Sequence, residues 1–462
     1  MQRRIVNVEG ITPVVRGYPS AVVSHGIAFF SGVRSGGGAT VRDFRNLPDH
    51  FVRTGTGFAL ADGREGEVAA DSWMVYVNFE RILKAVGMDG TQVLRQHFWQ
   101  GDKRFFPVCE RIRMHWQKDP PPSSGLGVAN VVGRFSRWIG MDAIGVVPGV
   151  NPLFPHRSMV RTFDNKTLPS ASYYSQAVRC GPLVFFAGHI AIETDKPGKP
   201  VIRGFDDIPE QGRFLATGRS HPDSRDGPIA AQSWYCYERI RENLNAQGLD
   251  LRNVVHVNVF LQDLRDFTAF HRIHRHFFPD NGPALVVTGF NEVGHRGTLI
   301  EIEPTAVQLT PGLETGSVDW PIAAPFAGPA AVRTGPLWFF AGMPGLNAQG
   351  MPAQGAHEIE DDVGRHVVTD LSRFESQQGF AAQCWQAWML LGRVCEAAGL
   401  SLAKLTKTTV YLRTAADIWI FEEIRETIFG HAPRHAVEFV AIHGPGPVPD
   451  AHVQIEAIAA DD

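Results

Sequence analysis

The chain has 462 residues, of which 44% are hydrophobic, and a formal net charge of -4 at pH 7. This length suffices for two to four ordinary domains, and the balanced charge without a dense basic run argues against a nucleic-acid partner. No stretch approaches the roughly 18 uncharged apolar residues that span a bilayer, and the basic start of the chain lacks the apolar core of a signal peptide. Five cysteines without a CxxC pair indicate reduced thiols, so we expect a cytoplasmic protein that has no membrane partner.

The dominant feature of the sequence is an internal repeat of three copies. Two short apolar strands around a turn, ending in an aromatic pair and a glycine, occur as AVVSHGIAFFSG (21–32), AVRCGPLVFFAG (177–188) and AVRTGPLWFFAG (331–342). A helical pattern with a shared tryptophan and a glycine at the C-cap position follows at 71–87, 232–248 and 383–399. The period is far longer than the roughly 20–50 residues of a solenoid unit, so the pattern indicates a triplicated domain.

The remaining elements recur in the same order. Strands rich in β-branched and aromatic residues are predicted at 93–100, 254–263 and 405–414. Second helices are centred on 107–116, 268–278 and 419–429. Two closing strands follow at 125–132 with 138–147, at 284–290 with 298–307, and at 434–442 with 452–460. The sequence therefore predicts an α+β fold in which the order β-β-α-β-α-β-β occurs three times, in domains at 1–150, 151–311 and 312–462.

Two connections between the second strand and the first helix are unusually long. They cover 34–67 in the first copy and 190–228 in the second, and both are rich in Gly, Arg and Asp. Long loops of this kind are either lids over a site or surface insertions, and the composition does not decide between them.

With these elements in place, the sequence resembles the Rid (YjgF-type) imine and enamine deaminase family. YYSQAVRCGPLVFFAG (173–188) resembles the N-terminal signature of the family, and KLTKTTVYL (404–412) with APRHAVEF (432–439) and QIEAIA (454–459) resembles its later strands. The resemblance is clear in copies two and three and degenerate in copy one. It implies a chorismate-mutase-like fold for each copy and homotrimers with a central β-barrel and outer helices. Three linked copies then imply an intramolecular pseudo-trimer, as a monomer or a higher assembly of pseudo-trimers.

The resemblance also implies a chemistry, the hydrolysis of a small 2-imino or enamino acid to a 2-keto acid and ammonia. Arg434 matches the carboxylate-binding arginine of the family, and arginine suits this role because its planar fork binds a carboxylate bidentately. We matched this position with Leu285 in copy two and with Ser123 or Ser124 in copy one. The anchor is therefore expected in one copy only.

The water-positioning glutamate of the family is matched by Glu301. The same position holds Gln454 in copy three, which we include among the catalytic candidates because its amide can hydrogen-bond a water, although it cannot accept a proton near neutral pH. Copy one has Gly140 there, so no copy combines the arginine with the glutamate. A site between copies would combine Arg434 and Glu301, although Glu301 as an ordinary strand carboxylate is an equal alternative. The tyrosine position of the family is matched by Tyr18 and Tyr174, whose alternative role is that of a core aromatic.

Three ionisable residues occupy the polar position of the second helix, namely Glu110, His271 and Glu422. We interpret the two glutamates as substrate-binding residues and His271 as a proton-transfer group, because an imidazole titrates near neutral pH. His271 and His274 stand at i, i+3, but a third ligand at motif spacing is missing, so no metal site is predicted. No phosphate loop or dinucleotide fingerprint occurs, and no cofactor is expected.

Three functions are compatible with these observations. The first is a deaminase that acts on a small carboxylate-bearing imine or enamine at one composite site. The second is a divergent hydrolase or lyase of secondary metabolism acting on a larger, cyclic carboxylate, since chorismate-hydrolysing enzymes resemble this fold. The third is a non-catalytic carboxylate-binding protein. Loss of motif residues in some copies is expected under each of them.

Overall fold

A computed structural model describes most of the chain. The described residues are 3–11, 13–15, 17–36, 63–133, 138–160, 174–194, 196–213, 226–280, 282–430 and 434–461. Most of the first long connection and the end of the second therefore lie outside the described residues. We use copy one, copy two and copy three for the three sequence ranges defined above.

The secondary structure repeats with the copies. Copy one contains β1 (Arg4–Val6), β2 (Ala21–Ser24), β3 (Ile27–Phe30), α1 (Gly63–Val86), β4 (Val93–Gln100), α2 (Phe106–Trp116), β5 (Ser123–Gly127) and β6 (Ile139–Val146). Copy two contains β7 (Arg157–Val160), β8 (Ala177–Cys180), β9 (Leu183–Phe186), β10 (His189–Ile190), α3 (Glu210–Arg213), α4 (Asp226–Asn245), β11 (Val254–Leu261), α5 (Phe267–Phe277), β12 (Ala284–Gly289) and β13 (Ile300–Val307). Copy three contains β14 (Thr315–Val318), β15 (Ala331–Thr334), β16 (Leu337–Phe340), β17 (Met343–Pro344), α6 (Asp362–Leu371), α7 (Glu375–Ala397), β18 (Leu405–Leu412), α8 (Ile418–Phe429), β19 (Ala436–Ala441) and β20 (Val453–Ala460).

Each copy folds into one sheet, and the three sheets share one strand order. In copy one the order is β1-β2-β3-β6-β4-β5, and the corresponding strands follow the same order in copies two and three. All neighbours are antiparallel except the last pair, β4–β5, β11–β12 and β18–β19, which a helix connects as a parallel pair requires. The α+β prediction is confirmed. An additional short strand begins each copy (β1, β7 and β14), and copies two and three each contain a second additional strand (β10 and β17) and an additional helix (α3 and α6).

Helices cover only one face of each sheet. The long helices α1, α4 and α7 pack against β6, β13 and β20 of their own copies. The other faces meet one another, because two apolar clusters draw residues from all three copies. The predicted closed central barrel is not confirmed, since the described strands form three separate open sheets. Single bridges join the copies, at Gly127–Glu292, Gly289–Gly444 and Asn130–Ala441.

Between the two shared apolar clusters lies a buried layer of charged residues. His97 of copy one contacts Asp142 through Nδ1 at 3.3 Å and Glu303 of copy two through Nε2 at 2.9 Å. Arg95 pairs with Glu303 at 3.1 Å, and Lys407 of copy three pairs with Asp142. All five residues are buried. Residues of three copies therefore compensate one another's charge at the place where the sheets meet.

This layer sets the charge state of its histidine. Burial alone would lower the pKa of His97, but Glu303 and Asp142 raise it to about 10. Burial likewise would raise the pKa of Glu303, whereas Arg95 and His97 lower it to about 2. Near neutral pH the imidazolium and the carboxylate are consequently both charged and paired.

We expect His97→Gln to lower the free energy of unfolding by about 3 kcal/mol at pH 6, because it leaves buried carboxylates without a cationic partner. The folded-state pKa of His97 is raised, so its stabilisation is complete below the ordinary histidine pKa of about 6.5 and disappears as the pH rises through about 10. Urea unfolding of wild type and variant at pH 6 and at pH 10 measures this difference. His366→Gln, at an exposed helix position, is the matched control. An equal loss at both pH values would contradict a charged His97.

Candidate active site

The structure distributes the predicted site residues over three interfaces between copies. Interface one joins α2 of copy one to copy two, interface two joins α5 of copy two to copy three, and interface three joins α8 of copy three to copy one. In each case the helix residue of one copy faces the tyrosine or glutamate position of the next. The equivalent positions are therefore paired across copies and not within them.

Interface three is closed by two sets of polar contacts. The first lies at the tyrosine position, where the Tyr18 hydroxyl donates to Oε1 of Glu422 at 2.9 Å and Arg425 donates to Oε2 of Glu422 at 2.9 Å. The guanidinium of Arg425 also lies 5.4 Å from the centre of the Tyr18 ring. Burial, together with Glu422, raises the pKa of Tyr18 well above its ordinary value. This tyrosine is thus a structural hydrogen-bond donor whose partner belongs to the protein.

The second set fills the position of the missing glutamate. Gly140 leaves room for the guanidinium of Arg34, whose Cζ would lie 2.5 Å from a Cβ at that glycine. Arg34 donates to both carboxylate oxygens of Glu438, one of them at 3.1 Å, and both side chains are buried. An internal ion pair therefore occupies the space that a substrate would need.

Arg434 lies beside this closed interface. It directly precedes His435 and β19, and its side chain is exposed. Within the described part of the chain, no hydrogen bond or ion pair engages its guanidinium. Arg434 and Glu301 stand at different interfaces, so the structure does not bring together the composite pair that the sequence suggested.

The strand register also corrects our alignment of Arg434 with the other copies. In their parallel strand pairs, Thr408 opposes Val437, Val257 opposes Leu285 and Gln96 opposes Ser123. Leu285 and Ser123 therefore correspond to Val437, three residues after Arg434, and Ser124 corresponds to Glu438. Arg434 lies three residues before Val437, so the equivalent positions lie three residues before Leu285 and Ser123. They are Gly282 in copy two and Pro120 in copy one, and neither carries a charge.

Interface two is closed by neutral groups. Gln454 donates from Nε2 to the carbonyl oxygen of Val287 at 3.1 Å, and its side chain covers Gly342. The ring Nε2 of His271 accepts a hydrogen bond from the backbone of Ala327 at 2.9 Å. Burial, with a smaller contribution from Arg275, lowers the pKa of His271. Both predicted catalytic residues of this interface are thus engaged in contacts between copies.

Interface one contains a cavity of about 940 Å³. Copy one contributes residues of β4, α2 and β5 and the turn before α2, and copy two contributes Tyr174, Glu301 and the loop 292–298. Gly198 and Lys199 also line the cavity, so the described part of the second long connection forms part of its wall. This volume falls within the range of ligand pockets, roughly 300–1,000 Å³.

Two carboxyl groups line this cavity, the exposed Glu292 and the buried Glu301. The side chain of Glu301 is 4% exposed, and its Oε2 accepts the backbone N–H of Gly294 at 3.0 Å. Burial raises the pKa of Glu301 to about 7, while Lys103 and a hydrogen bond with Ser124 act in the opposite direction. Gly188 permits the position, because a Cβ there would overlap Oε1 of Glu301. A buried carboxyl that titrates near neutral pH is suited to accept and return a proton.

Tyr174 stands in the same wall with its ring partly buried. Burial raises its pKa, and the carboxylates of Glu301 and Glu110 add to this effect while Arg113 opposes it. Unlike Tyr18, Tyr174 makes no hydrogen bond to a described residue through its hydroxyl. Glu110 lies in α2 at 3.8 Å from the guanidinium of Arg113, the looser counterpart of the Glu422–Arg425 pair. The tyrosine hydroxyl at interface one is thus available to a ligand, whereas the tyrosine hydroxyl at interface three is bonded to Glu422.

Five cations line this cavity, and none of them was predicted from the sequence, namely Lys103, Arg104, Arg113, Lys199 and Arg296. Arg113 and Lys103 both come from copy one and line the wall that faces Glu301. The positions equivalent to Lys103 hold Leu264 and Ala415, so the repeat pattern gave no reason to select it. A search for charges that occur in only one copy would have found it. The described residues contain no cluster of three His, Cys, Asp or Glu side chains that could hold a metal ion.

Comparison with known proteins agrees with the repeat. Residues 216–308 match the family described as "Endoribonuclease L-PSP". Human 2-iminobutanoate/2-iminopropanoate deaminase is 27% identical over 135 residues, which are 29% of this chain and 80% of the human protein. A solved Klebsiella pneumoniae structure, described only as a candidate endoribonuclease, is 32% identical over 29% of this chain and its whole own length, with a TM-score of 0.28. A solved chorismatase aligns with 80% of this chain and 93% of its own length at 12% identity and a TM-score of 0.46. No helix in the described residues is long and apolar enough to cross a lipid bilayer.

The two tyrosines provide a matched pair of substitutions. We expect Tyr18→Phe to lower the free energy of unfolding by about 1–2 kcal/mol, because it removes a buried hydrogen bond to a carboxylate. Tyr174→Phe is expected to change it by less than about 0.5 kcal/mol, since that hydroxyl borders a cavity. Urea unfolding at neutral pH measures both values, and equal losses would contradict the difference between the interfaces.

Proposed function

The chain belongs to the Rid (YjgF-type) family, and we propose that it hydrolyses a carboxylate-bearing imine or enamine to a 2-keto acid and ammonia in the cavity of interface one. The observation that carries this proposal is the buried carboxyl of Glu301 in the cavity wall, with a pKa of about 7. A relative that matches about a third of the chain carries the name 2-iminobutanoate/2-iminopropanoate deaminase. The proposed site is composite because copy one and copy two each supply one wall.

In the proposed reaction Glu301 acts as general base and general acid. Its carboxylate takes a proton from water while the water oxygen bonds to the imine carbon. The electron pair of the C=N double bond moves to the nitrogen, which receives that proton from Glu301 and becomes an amine. Glu301 then takes the proton of the new hydroxyl group and passes it to the amine, so that the C–N bond breaks, the keto group forms and ammonia leaves. Tyr174 is placed to donate a hydrogen bond to the reacting nitrogen or oxygen, since its hydroxyl borders the same cavity. Glu110 takes part by orienting Arg113.

We propose one such site per chain. Interface two carries an amide in place of the glutamate, and an amide cannot accept a proton near neutral pH. Interface three carries Gly140 at that position and an ion pair in the remaining space. The cyclic order of contacts, copy one to two, two to three and three to one, supports an intramolecular pseudo-trimer as the frame of this single site.

A second candidate function has one observation in its favour. The cavity of about 940 Å³ is large for an imino acid of four carbons. This volume favours a hydrolase or lyase that acts on a larger carboxylate, including a cyclic one. The same cavity, residues and base would serve this reaction, and the two candidates differ only in substrate. Binding without turnover is the third possible outcome of the test below.

We expect Glu301→Gln to lower kcat/KM for 2-iminobutanoate generated in situ by roughly 10²- to 10⁴-fold, because the variant loses its proton acceptor. Release of 2-oxobutanoate and ammonia above the spontaneous rate measures it. Glu80→Gln, at a half-buried position of α1 outside the cavity lining, is the matched control. Unchanged activity in Glu301→Gln would exclude this residue as the base.

The pH dependence gives an independent test of the same group. The base is active as a carboxylate, so kcat/KM of the wild type is expected to rise with pH through about 7 and then level off. A profile that is flat from pH 5 to pH 9 would contradict the assignment. Parallel assays with chorismate, measured by release of pyruvate, distinguish the second candidate, and ligand binding without product in either assay indicates a binding protein.

A further inference from the structure

The cavity of interface one contains a lysine that no other copy shares. Lys103 follows Asp102 and begins a short 3-10 turn before α2, where its side chain is partly buried in the cavity wall. The equivalent residue of interface two, Leu264, packs against Gly289 and Gly444. At this position, interface two has a leucine that fills a closed interface, whereas interface one has a lysine that borders an open cavity.

The hydrogen bonds of Lys103 fix its ammonium group. Nζ donates to the carbonyl oxygen of Gly125 in copy one and to that of Gly294 in copy two, each at 2.6 Å. A lysine ammonium has three donors, so one N–H remains after these two bonds. Both Gly294 and its neighbour His295 line the cavity. Glu301 lies close enough to Lys103 to influence its pKa. The remaining donor is thus held at the cavity that contains the proposed base.

A substrate carboxylate in this cavity needs a cationic partner, because burying an unpaired charge is costly. The anchor of the family is absent here, since the position equivalent to Arg434 is Pro120. Lys199 of copy two lines the cavity as well but already has an interaction of its own, and Arg104 and Arg296 are exposed. Copy one supplies two cations that are not exposed, Lys103 and Arg113, and the guanidinium of Arg113 already donates to Gln117 and to the carbonyl oxygen of Pro121. It also lies 4.9 Å from the centre of the Phe98 ring. Lys103 is therefore the better placed of the two.

We propose that Lys103 binds the carboxylate group of the substrate at interface one and replaces the arginine anchor that Arg434 retains elsewhere. This inference rests on the proposed function for the choice of site. An ammonium is a point charge and lacks the planar fork of arginine. The site consequently recognises the charge of the anion more than its shape, and accepts a tetrahedral anion such as a phosphonate as readily as a carboxylate.

Binding measurements test the anchor without requiring turnover. The probes are 2-oxobutanoate and its neutral amide, 2-oxobutanamide, titrated calorimetrically into the full chain. We expect the wild type to bind the acid at least tenfold more tightly than the amide. Lys103→Met should abolish this preference and leave amide binding unchanged, and Lys103→Arg should restore it. Retained binding of the amide demonstrates an intact cavity, which matters because Lys103 also links Gly125 to Gly294.

Kinetics and a control variant complete the test. With 2-iminobutanoate at pH 9, where Glu301 is ionised, Lys103→Met is expected to raise KM at least tenfold and to change kcat less than threefold. The high pH is needed because Lys103 lowers the pKa of Glu301, so its loss near neutral pH would also reduce the fraction of ionised base. Lys118→Met, an exposed lysine beyond α2, should change neither binding nor kinetics. Persistence of the preference for the acid in Lys103→Met would overturn the proposal. So would a covalent adduct on Lys103 after cyanoborohydride treatment with 2-oxobutanoate, because that result identifies a nucleophile instead of an anchor.

The binding arm separates this inference from the proposed function. If the wild type prefers the acid through Lys103 but hydrolyses no imine, the anchor is established and the deaminase proposal fails. If it hydrolyses imines and Lys103→Met keeps the preference for the acid, the deaminase proposal stands and the anchor fails. A phosphonate analogue of 2-oxobutanoate that binds the wild type within threefold of the acid would further support a point-charge contact.

Discussion

The arrangement of the three copies depends on the buried charges where their sheets meet. His97 of copy one bridges Asp142 of its own sheet and Glu303 of copy two, and Lys407 of copy three completes the pairing of Asp142. Charges in a low-dielectric interior are tolerated only with their partners, so displacing one copy would leave several of them unpaired. The apolar clusters on either side hold the sheets together, but hydrophobic contacts are non-directional. The ion pairs require specific partners and therefore determine which copies face each other.

Fusion into one chain is what allows the three interfaces to differ. In a homotrimer every substitution appears at all three interfaces, whereas here each interface has its own residues. The position matched to the water-positioning glutamate of the family illustrates this difference, since it holds Gly140, Glu301 and Gln454. At the first of these, Arg34 and Glu438 form a buried pair, and at the last an amide bonds to a backbone carbonyl. Glu301, at interface one, borders an open cavity.

Local sequence patterns predicted the fold well and the site poorly. The strands and helices were predictable because apolar periodicity and turn residues are properties of each segment alone. The short strands β1, β7 and β14 were missed because three or four residues carry too little periodicity to detect. The one-residue-at-a-time alignment of Arg434 with Leu285 failed for a related reason, since strand register depends on pairing with a neighbour.

The contacts between residues of different copies could likewise not be predicted from the sequence of each copy alone. Tyr174 and Glu301 belong to copy two, but the groups that face them, Glu110 and Lys103, belong to copy one. A search guided by the strongest motif therefore centred on Arg434, whose own interface is filled. Lys103 escaped notice because its significance lies in being absent from the other copies.

The buried carboxyl of Glu301 at interface one has a thermodynamic cost that interfaces two and three avoid. A carboxyl group whose pKa is raised by burial destabilises the folded chain at neutral pH, because folding then opposes its ionisation. Replacement of that group by the neutral Gln454, or by the paired Arg34 and Glu438, removes an unfavourable buried charge and fills space. Interfaces two and three therefore avoid the cost of a buried carboxyl without a charged partner. Stable packing at interfaces two and three offsets the cost of the buried carboxyl and the open cavity at interface one.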